Sequence, residues 1–216
     1  MRNKKIDTVL FDFDGTVMNT NEVIINSWQH TFRTIEGRER PVSEIVKTFG
    51  EPLAVTMEKF FPHTPVDEAI NIYRNYHYEK FGDLITLFPG MKELIQKLKE
   101  QRYRLALVTS RLRGTTMQGL EKYGLDQLFE EVVTMEDCTK HKPDPEPINI
   151  ALERLSAKPE NSLMLGDTLF DIRCARNAGV KSVLVSWALA VGAEELNGPD
   201  APDYVIDRAD ELFTLL

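Results

Sequence analysis

Asp12-Phe13-Asp14-Gly15-Thr16 sets two carboxylates two residues apart beside a glycine that lets the chain turn sharply. Three further segments carry groups of matching chemistry: Thr109-Ser110, Lys140 to Pro145 with Lys142 at its centre, and Gly166-Asp167 with Asp171 one helical turn later. Together they supply what phosphoryl transfer requires, namely positioning and charge stabilisation. Asp12 could attack phosphorus as a carboxylate and form an acyl phosphate. Asp14 could protonate the leaving group and then take a proton from water, provided that neighbouring negative charge raises its pKa. Thr109, helped by Ser110 and the backbone N–H groups of the turn, could donate to phosphoryl oxygens. Lys142 could place a point charge against them.

Four carboxylates in one place are costly. A pair about 4 Å apart repels by roughly 4 kcal/mol at an effective dielectric of about 20. Asp12, Asp14, Asp167 and Asp171 therefore call for a cation. Oxygen-only donors favour a hard ion, and Mg²⁺ suits a site that also takes phosphate. His30, His63, His77 and His141 show no metal-ligand spacing and read as ordinary core or surface histidines. There is no Gly-x-Gly-x-x-Gly or P-loop pattern.

Positioning these groups takes a parallel sheet, whose ligands lie beyond the carboxyl ends of its strands. Ile6 to Phe11, Arg104 to Val108, Glu131 to Val133, Ser162 to Leu165, Ser182 to Val185 and Tyr204 to Ile206 read as strands. Most are continuous apolar runs, as expected of strands covered on both faces. Helical periodicity falls between them, over Met91 to Gln101, Thr115 to Tyr123, Pro145 to Leu155, and Thr168 to Ala178 with Gly179 as its stop. The alternation predicts a doubly wound α/β fold.

Between Thr16 and Phe88 the alternation fails. Glu22 to Phe32, Leu53 to Phe60 and Val66 to Phe81 read as amphipathic helices, no strand is evident, and Pro41, Pro62 and Pro65 punctuate the stretch. The predicted organisation is an α/β core of residues 1–18 and 86–216 with a helical cap, 19–85, inserted after the first strand. Trp28, Phe32, Phe60, Phe61, Tyr73, Tyr76 and Phe81 are expected to form the cap's own core.

A net charge of −8 over 216 residues disfavours nucleic acid and anionic membranes as partners. Cys138 and Cys174 read as reduced thiols. The basic stretch Met1 to Lys5 leads into an apolar run too short for a signal sequence, and no run reaches membrane-spanning length. These features predict a cytoplasmic protein; the partner expected from the motifs is a small phosphorylated substrate, and the expected state is a monomer or weak homodimer.

Taken in order, the motifs resemble those of the haloacid dehalogenase-like hydrolase superfamily, in its phosphoglycolate phosphatase-like branch. Asp12 to Thr16 matches the first motif and Thr109 the second. Lys142-Pro143 matches the third, and Gly166-Asp167 with Asp171 the fourth. The resemblance covers the whole chain and implies a Rossmann-like core with a helical cap. It also implies Mg²⁺ held by Asp12, the main-chain carbonyl of Asp14 and Asp167, with Asp171 in support.

Asn19 to Glu22, Gly50-Glu51-Pro52-Leu53, and Lys142 to Pro147 running into Ala151 to Leu155 resemble pyrophosphatases of the branch. Similar segments occur in its phosphoglycolate phosphatases. Gly50 and Glu51 are thereby marked as cap residues near the substrate. The sequence departs from the branch at Asn19, where Asp is usual, and at Ala188 after Trp187, where Gly is frequent. The implied activity is Mg²⁺-dependent hydrolysis of pyrophosphate or phosphoglycolate. A sugar phosphomutase, or a non-catalytic binding protein on the same scaffold, is the alternative. A mutase would need extra cap cations, for which Lys47, Lys59, Arg74 and Lys80 are available.

Overall fold

The strand Thr8–Phe11 (β1) holds the centre of the sheet, and all four of its residues are buried. In the computed structural model, which describes residues 6–187, 189–191 and 195–216, it pairs with Arg104–Val108 (β4) on one side and Ser162–Gly166 (β6) on the other. Glu131–Val133 (β5) extends the sheet beyond β4. Lys181–Val185 (β7) and Tyr204–Ile206 (β8) extend it beyond β6. The order is β5-β4-β1-β6-β7-β8 and every pairing is parallel. The expected α/β class and its doubly wound parallel sheet are thus present. The basic Met1 to Lys5 stretch and Ala188 lie outside the described residues.

Strand side chains alternate between the two faces, and each face is covered. Val9 and Phe11 join Leu105, Leu107, Leu163 and Leu165 under Met91–Glu100 (α5) and Arg113–Tyr123 (α6). Leu10, Ala106, Val108 and Met164 face the other way, against Glu146–Arg154 (α7) and Leu169–Asn177 (α8). Burying each large side chain contributes roughly 1.5–3 kcal/mol. The strand tips are therefore held by a core on both sides.

Two two-residue strands, Met18–Asn19 (β2) and Thr86–Leu87 (β3), pair antiparallel. The sequence reading placed no strand here, because two residues are too few to show a period. Between them run Asn21–Glu36 (α1), Val42–Val46 (α2), Leu53–Phe60 (α3) and Val66–Leu84 (α4). The short α2 was also missed. It opens directly after Pro41, which the sequence reading took only as a breaker. These helices bury a cluster of their own around Trp28, Phe32, Ile45, Met57, Phe61 and Tyr73. Trp28 stacks on Phe32 at 5.8 Å and meets Tyr73 edge-on at 5.2 Å. Phe81 departs from the expectation: it lies near the end of α4, where it packs into the sheet's core instead. No helix among the described residues is long and apolar enough to cross a membrane.

Candidate active site

The carboxyl ends of β1, β4 and β6 open onto one cavity of about 340 Å³, which the helices α1, α3 and α4 and the loop before α3 close from above. That volume suits a small metabolite. Asp12, Asp14, Thr109, Ser110, Lys142, Gly50, Glu51, Asp167 and Asp171, all singled out from the sequence, line it.

Local structure explains why the carboxylates meet. β1 ends at Phe11, and the next amide, that of Asp12, still donates to the Leu165 carbonyl at 2.9 Å. The tip of β1 is thereby registered against that of β6. The chain then turns back, with Gly15 N–H on the Met18 carbonyl at 2.9 Å and Met18 N–H on the Phe13 carbonyl at 2.8 Å. Gly15 has φ +74°, and a Cβ there would stand 2.0 Å from Asp167 Oδ2. Glycine is what lets the two loops touch. After β6, Thr168 caps α8: the Asp171 carboxylate accepts from the Thr168 amide at 3.1 Å and its hydroxyl at 2.7 Å. The cap fixes the Asp171 side chain at the first turn.

One carboxylate oxygen from each of Asp12, Asp167 and Asp171 lies within 4.8 Å of the other two. All three residues are buried. Lys142 enters the cluster from the side, donating to Asp12 Oδ1 at 2.7 Å and to Asp171 Oδ1 at 2.6 Å. Burial pushes the Asp12 pKa up to about 7; Lys142 opposes that rise, and Asp171 and Asp14 add to it. Burial, reinforced by Asp12 and Asp171, also holds Asp167 well above the usual carboxylate range. For Lys142 burial works against the charge, but Asp12 and Asp171 outweigh it and raise the pKa above the ordinary lysine value.

Fully ionised, three carboxylates against one ammonium would leave two negative charges uncompensated in a buried place, which is why burial raises the Asp12 and Asp167 pKa values when no cation is there. An all-oxygen set with that deficit fits a hard divalent cation.

Asp14 does not join this set. Its carboxylate turns to Arg111, which donates from Nε at 2.9 and 3.2 Å and from a terminal nitrogen at 2.8 Å. Of the four carboxylates expected together, three cluster and the Asp14 side chain is held apart by Arg111. Nor does neighbouring negative charge raise the Asp14 pKa. Burial pushes it up, but the charge and hydrogen bonds of Arg111 prevail and hold it below the ordinary value.

Arg111 itself is pinned on several sides. It lies 2.9 Å from His77 Nε2, donates to Thr115 Oγ1 at 3.2 Å, and sits over the Phe81 ring at 4.6 Å. His77 touches Ser27 through Nδ1 at 3.2 Å. Burial and the Arg111 charge lower its pKa to about 3, so it is a neutral ring. An Asp14–Arg111–His77 chain thus runs from the sheet to α4.

Sequence reasoning missed Arg111 and treated His77 as an ordinary histidine. One signal was available for the arginine: four acidic residues at one rim need more positive charge than Lys142 supplies, and Arg111 follows Thr109 by two positions.

Thr109 is buried, and its hydroxyl accepts from the Arg111 amide at 3.1 Å. Ser110 stands exposed beside it. Gly50, with φ +83°, seats the cap loop on the core: a Cβ there would stand 2.7 Å from the Phe170 ring and 3.0 Å from Thr168 Oγ1. Glu51 lines the cavity, but its carboxylate is taken up by Lys59 at 2.7 and 3.0 Å and by the Thr56 hydroxyl at 3.1 Å. Of the four cap cations noted in the sequence, Arg74 lines the cavity, while Lys59 pairs with Glu51 and Lys80 with Glu79.

The model of the haloacid dehalogenase-like hydrolase family matches residues 9–185. Pyrophosphatases PpaX from Bacillus mycoides and Halalkalibacterium halodurans are 41% and 37% identical to this chain, over 98% of its length and 97% of each relative's. Among solved structures, a haloacid dehalogenase-like family hydrolase from Streptococcus pneumoniae superposes with a TM-score of 0.86 at 25% identity, covering 98% of both chains. A predicted phosphoglycolate phosphatase from Haemophilus somnus shares the fold, with a TM-score of 0.84 at 21% identity over 99% of both chains. Matched along most of its length by the family model, and nearly end to end by relatives at 37–41% identity, this chain belongs to the haloacid dehalogenase-like hydrolases.

Proposed function

We propose that the protein is a Mg²⁺-dependent phosphohydrolase that forms an aspartyl phosphate on Asp12, with inorganic pyrophosphate as its preferred substrate and phosphoglycolate as the next candidate. The observation that carries this reading is the buried trio Asp12, Asp167 and Asp171, which when ionised needs two positive charges beyond Lys142, facing a metabolite-sized cavity. The PpaX relatives favour pyrophosphate. The free thiols Cys138 and Cys174 are compatible with a cytoplasmic setting. In this reading residues 19–85 form the cap and the remainder the core.

Asp12, Asp167 and the main-chain carbonyl of Asp14 would hold the ion, with Asp171 supporting it. When bound, Mg²⁺ supplies charge neutralisation for carboxylates and substrate oxygens alike. The chain's own residues account for the remaining steps. Asp12 attacks phosphorus, the bond to the leaving group breaks with its electron pair on the departing oxygen, which for pyrophosphate leaves as a phosphate anion without needing a proton, and the phosphoryl group stays on Asp12 as an acyl phosphate. Lys142, fixed between Asp12 and Asp171, keeps the nucleophile aimed and offsets charge on the phosphoryl oxygens. Thr109 and Ser110 donate to those oxygens. Asp14 then removes a proton from the water that attacks phosphorus and frees Asp12, while Arg111 holds its carboxylate in place for that task.

Hydrolysis of p-nitrophenyl phosphate and of pyrophosphate, each with added Mg²⁺ and after chelation, tests the reading. It expects turnover of both that disappears on chelation. Turnover indifferent to the chelator, or none with any metal, refutes it.

A further inference from the structure

Among the described residues, three arginine or lysine side chains line the cavity: Arg74, Arg111 and Lys142. Two are already taken. Lys142 is shared by Asp12 and Asp171, and Arg111 by Asp14 and His77. Arg74 is half-buried and, among the described residues, has no carboxylate or other partner. A half-buried cation that lines a cavity without a counter-charge gains from an anion brought to it.

Its placement says which part of a ligand it meets. α4 presents Ile70, Tyr73, Arg74, His77 and Tyr78 to the cavity. These positions share one helical face. His77 is the residue that touches Arg111, and Arg111 holds Asp14. Arg74 precedes His77 by three residues, about 4.5 Å along the axis. It therefore stands about one turn beyond His77, on the cap side of the Asp14–Arg111 pair, the side from which the water that Asp14 deprotonates approaches phosphorus and on which the departing group must lie. The other side chains that this face contributes are an isoleucine, two tyrosines and a neutral imidazole, none of which can neutralise an anion.

We infer that Arg74 is a specificity-determining residue that receives a second anionic group carried on the leaving half of the substrate. The substrate class is then a short phosphate compound whose departing part is itself an anion, a phosphoryl group or a carboxylate. The guanidinium fork matches either one in a bidentate fashion. This inference rests on the phosphohydrolase reading and narrows it: the anion must be short enough for the scissile phosphorus to reach Asp12 while its far end reaches α4.

Three uncleavable ligands separate the possibilities. Methylenediphosphonate carries a second phosphonate, phosphonoacetate carries a carboxylate, and methylphosphonate carries neither. Their Kd values are measured by calorimetry with Mg²⁺ on the unaltered protein, on Arg74→Gln and on Arg74→Lys. The unaltered protein is expected to bind one or both of the doubly anionic ligands more tightly than methylphosphonate. Arg74→Gln should reduce that advantage by about 10- to 100-fold, and Arg74→Lys should retain part of it. Whichever ligand loses more identifies the preferred anion.

Equal effects on all three ligands, or no effect on any, would overturn the assignment. Failure of the underlying reading registers separately, as absence of Mg²⁺-dependent p-nitrophenyl phosphate turnover in the unaltered protein.

Discussion

The floor and the ceiling of the cavity are built on opposite plans. On the floor, charged groups are tied down. Lys142 bridges Asp12 and Asp171, Thr168 caps Asp171, and Arg111 clamps Asp14. On the ceiling, aromatic packing around Trp28 and Tyr73 holds the cap helices, and Arg74 lines the cavity with no partner among the described residues. The contrast fits the roles proposed for the two sides. Groups that stabilise developing charge act best when preorganised, because reorienting them during the reaction costs free energy. A group that reads the substrate has to be available when the substrate arrives. Removing a tied group should therefore cost turnover, and changing the ceiling should redistribute preference among substrates.

The sharpest challenge to that contrast is Asp12→Asn. An amide cannot attack phosphorus, and turnover of p-nitrophenyl phosphate should fall by about four orders of magnitude or more. Circular dichroism should show the fold intact. Retained activity would remove Asp12 from its role.

Lys142→Met comes next. It leaves Asp12 and Asp171 facing each other without their shared cation, and kcat should drop by about 10²- to 10³-fold. Unfolding in urea without metal should show a loss of about 3 kcal/mol, partly restored by Mg²⁺. Unchanged stability would mean that the lysine is not holding the carboxylates together.

Arg111→Gln loosens Asp14 and cuts the link to His77. A fall in kcat of about 10- to 100-fold is expected, exceeding any rise in KM. A change confined to KM would move Arg111 from the floor's plan to the ceiling's.

The smallest effect belongs to Gly50→Ala. The added Cβ presses on Phe170 and Thr168 at a positive φ, so the cap loop must shift. The ratio of kcat/KM between pyrophosphate and p-nitrophenyl phosphate should change by about 10-fold or less, with Mg²⁺ affinity unaltered. Weakened metal binding as the principal effect would contradict the division between floor and ceiling.

The same division explains what could be read from the sequence. Floor residues sit at strand tips, so each motif is a short contiguous string that follows an apolar run. Asp12, Thr109 and Asp167 could be assigned to one rim from that pattern alone. The partner of Asp14 could not. Arg111 is near Thr109 in sequence, but its pairing depends on how the β1 and β4 loops lean together.

The ceiling is harder still. Periodicity reveals α1, α3 and α4 but not which face of α4 looks into the cavity. Arg74, Lys59 and Lys80 were therefore equivalent until the fold distinguished them. His77 passed for a core histidine because nothing local distinguishes one that packs from one that bridges. The β2 and β3 pair escaped notice because two-residue strands carry no period.

The central claim is that Asp12 carries the phosphoryl group between the two half-reactions. Its most direct test is to mix the protein with Mg²⁺ and pyrophosphate, quench with acid within the first turnover, and map the modified peptide by mass spectrometry. The account predicts one phosphoryl group on the peptide bearing Asp12, absent from Asp12→Asn. Product release during turnover with no modified peptide, or phosphorylation at any other residue, would contradict it.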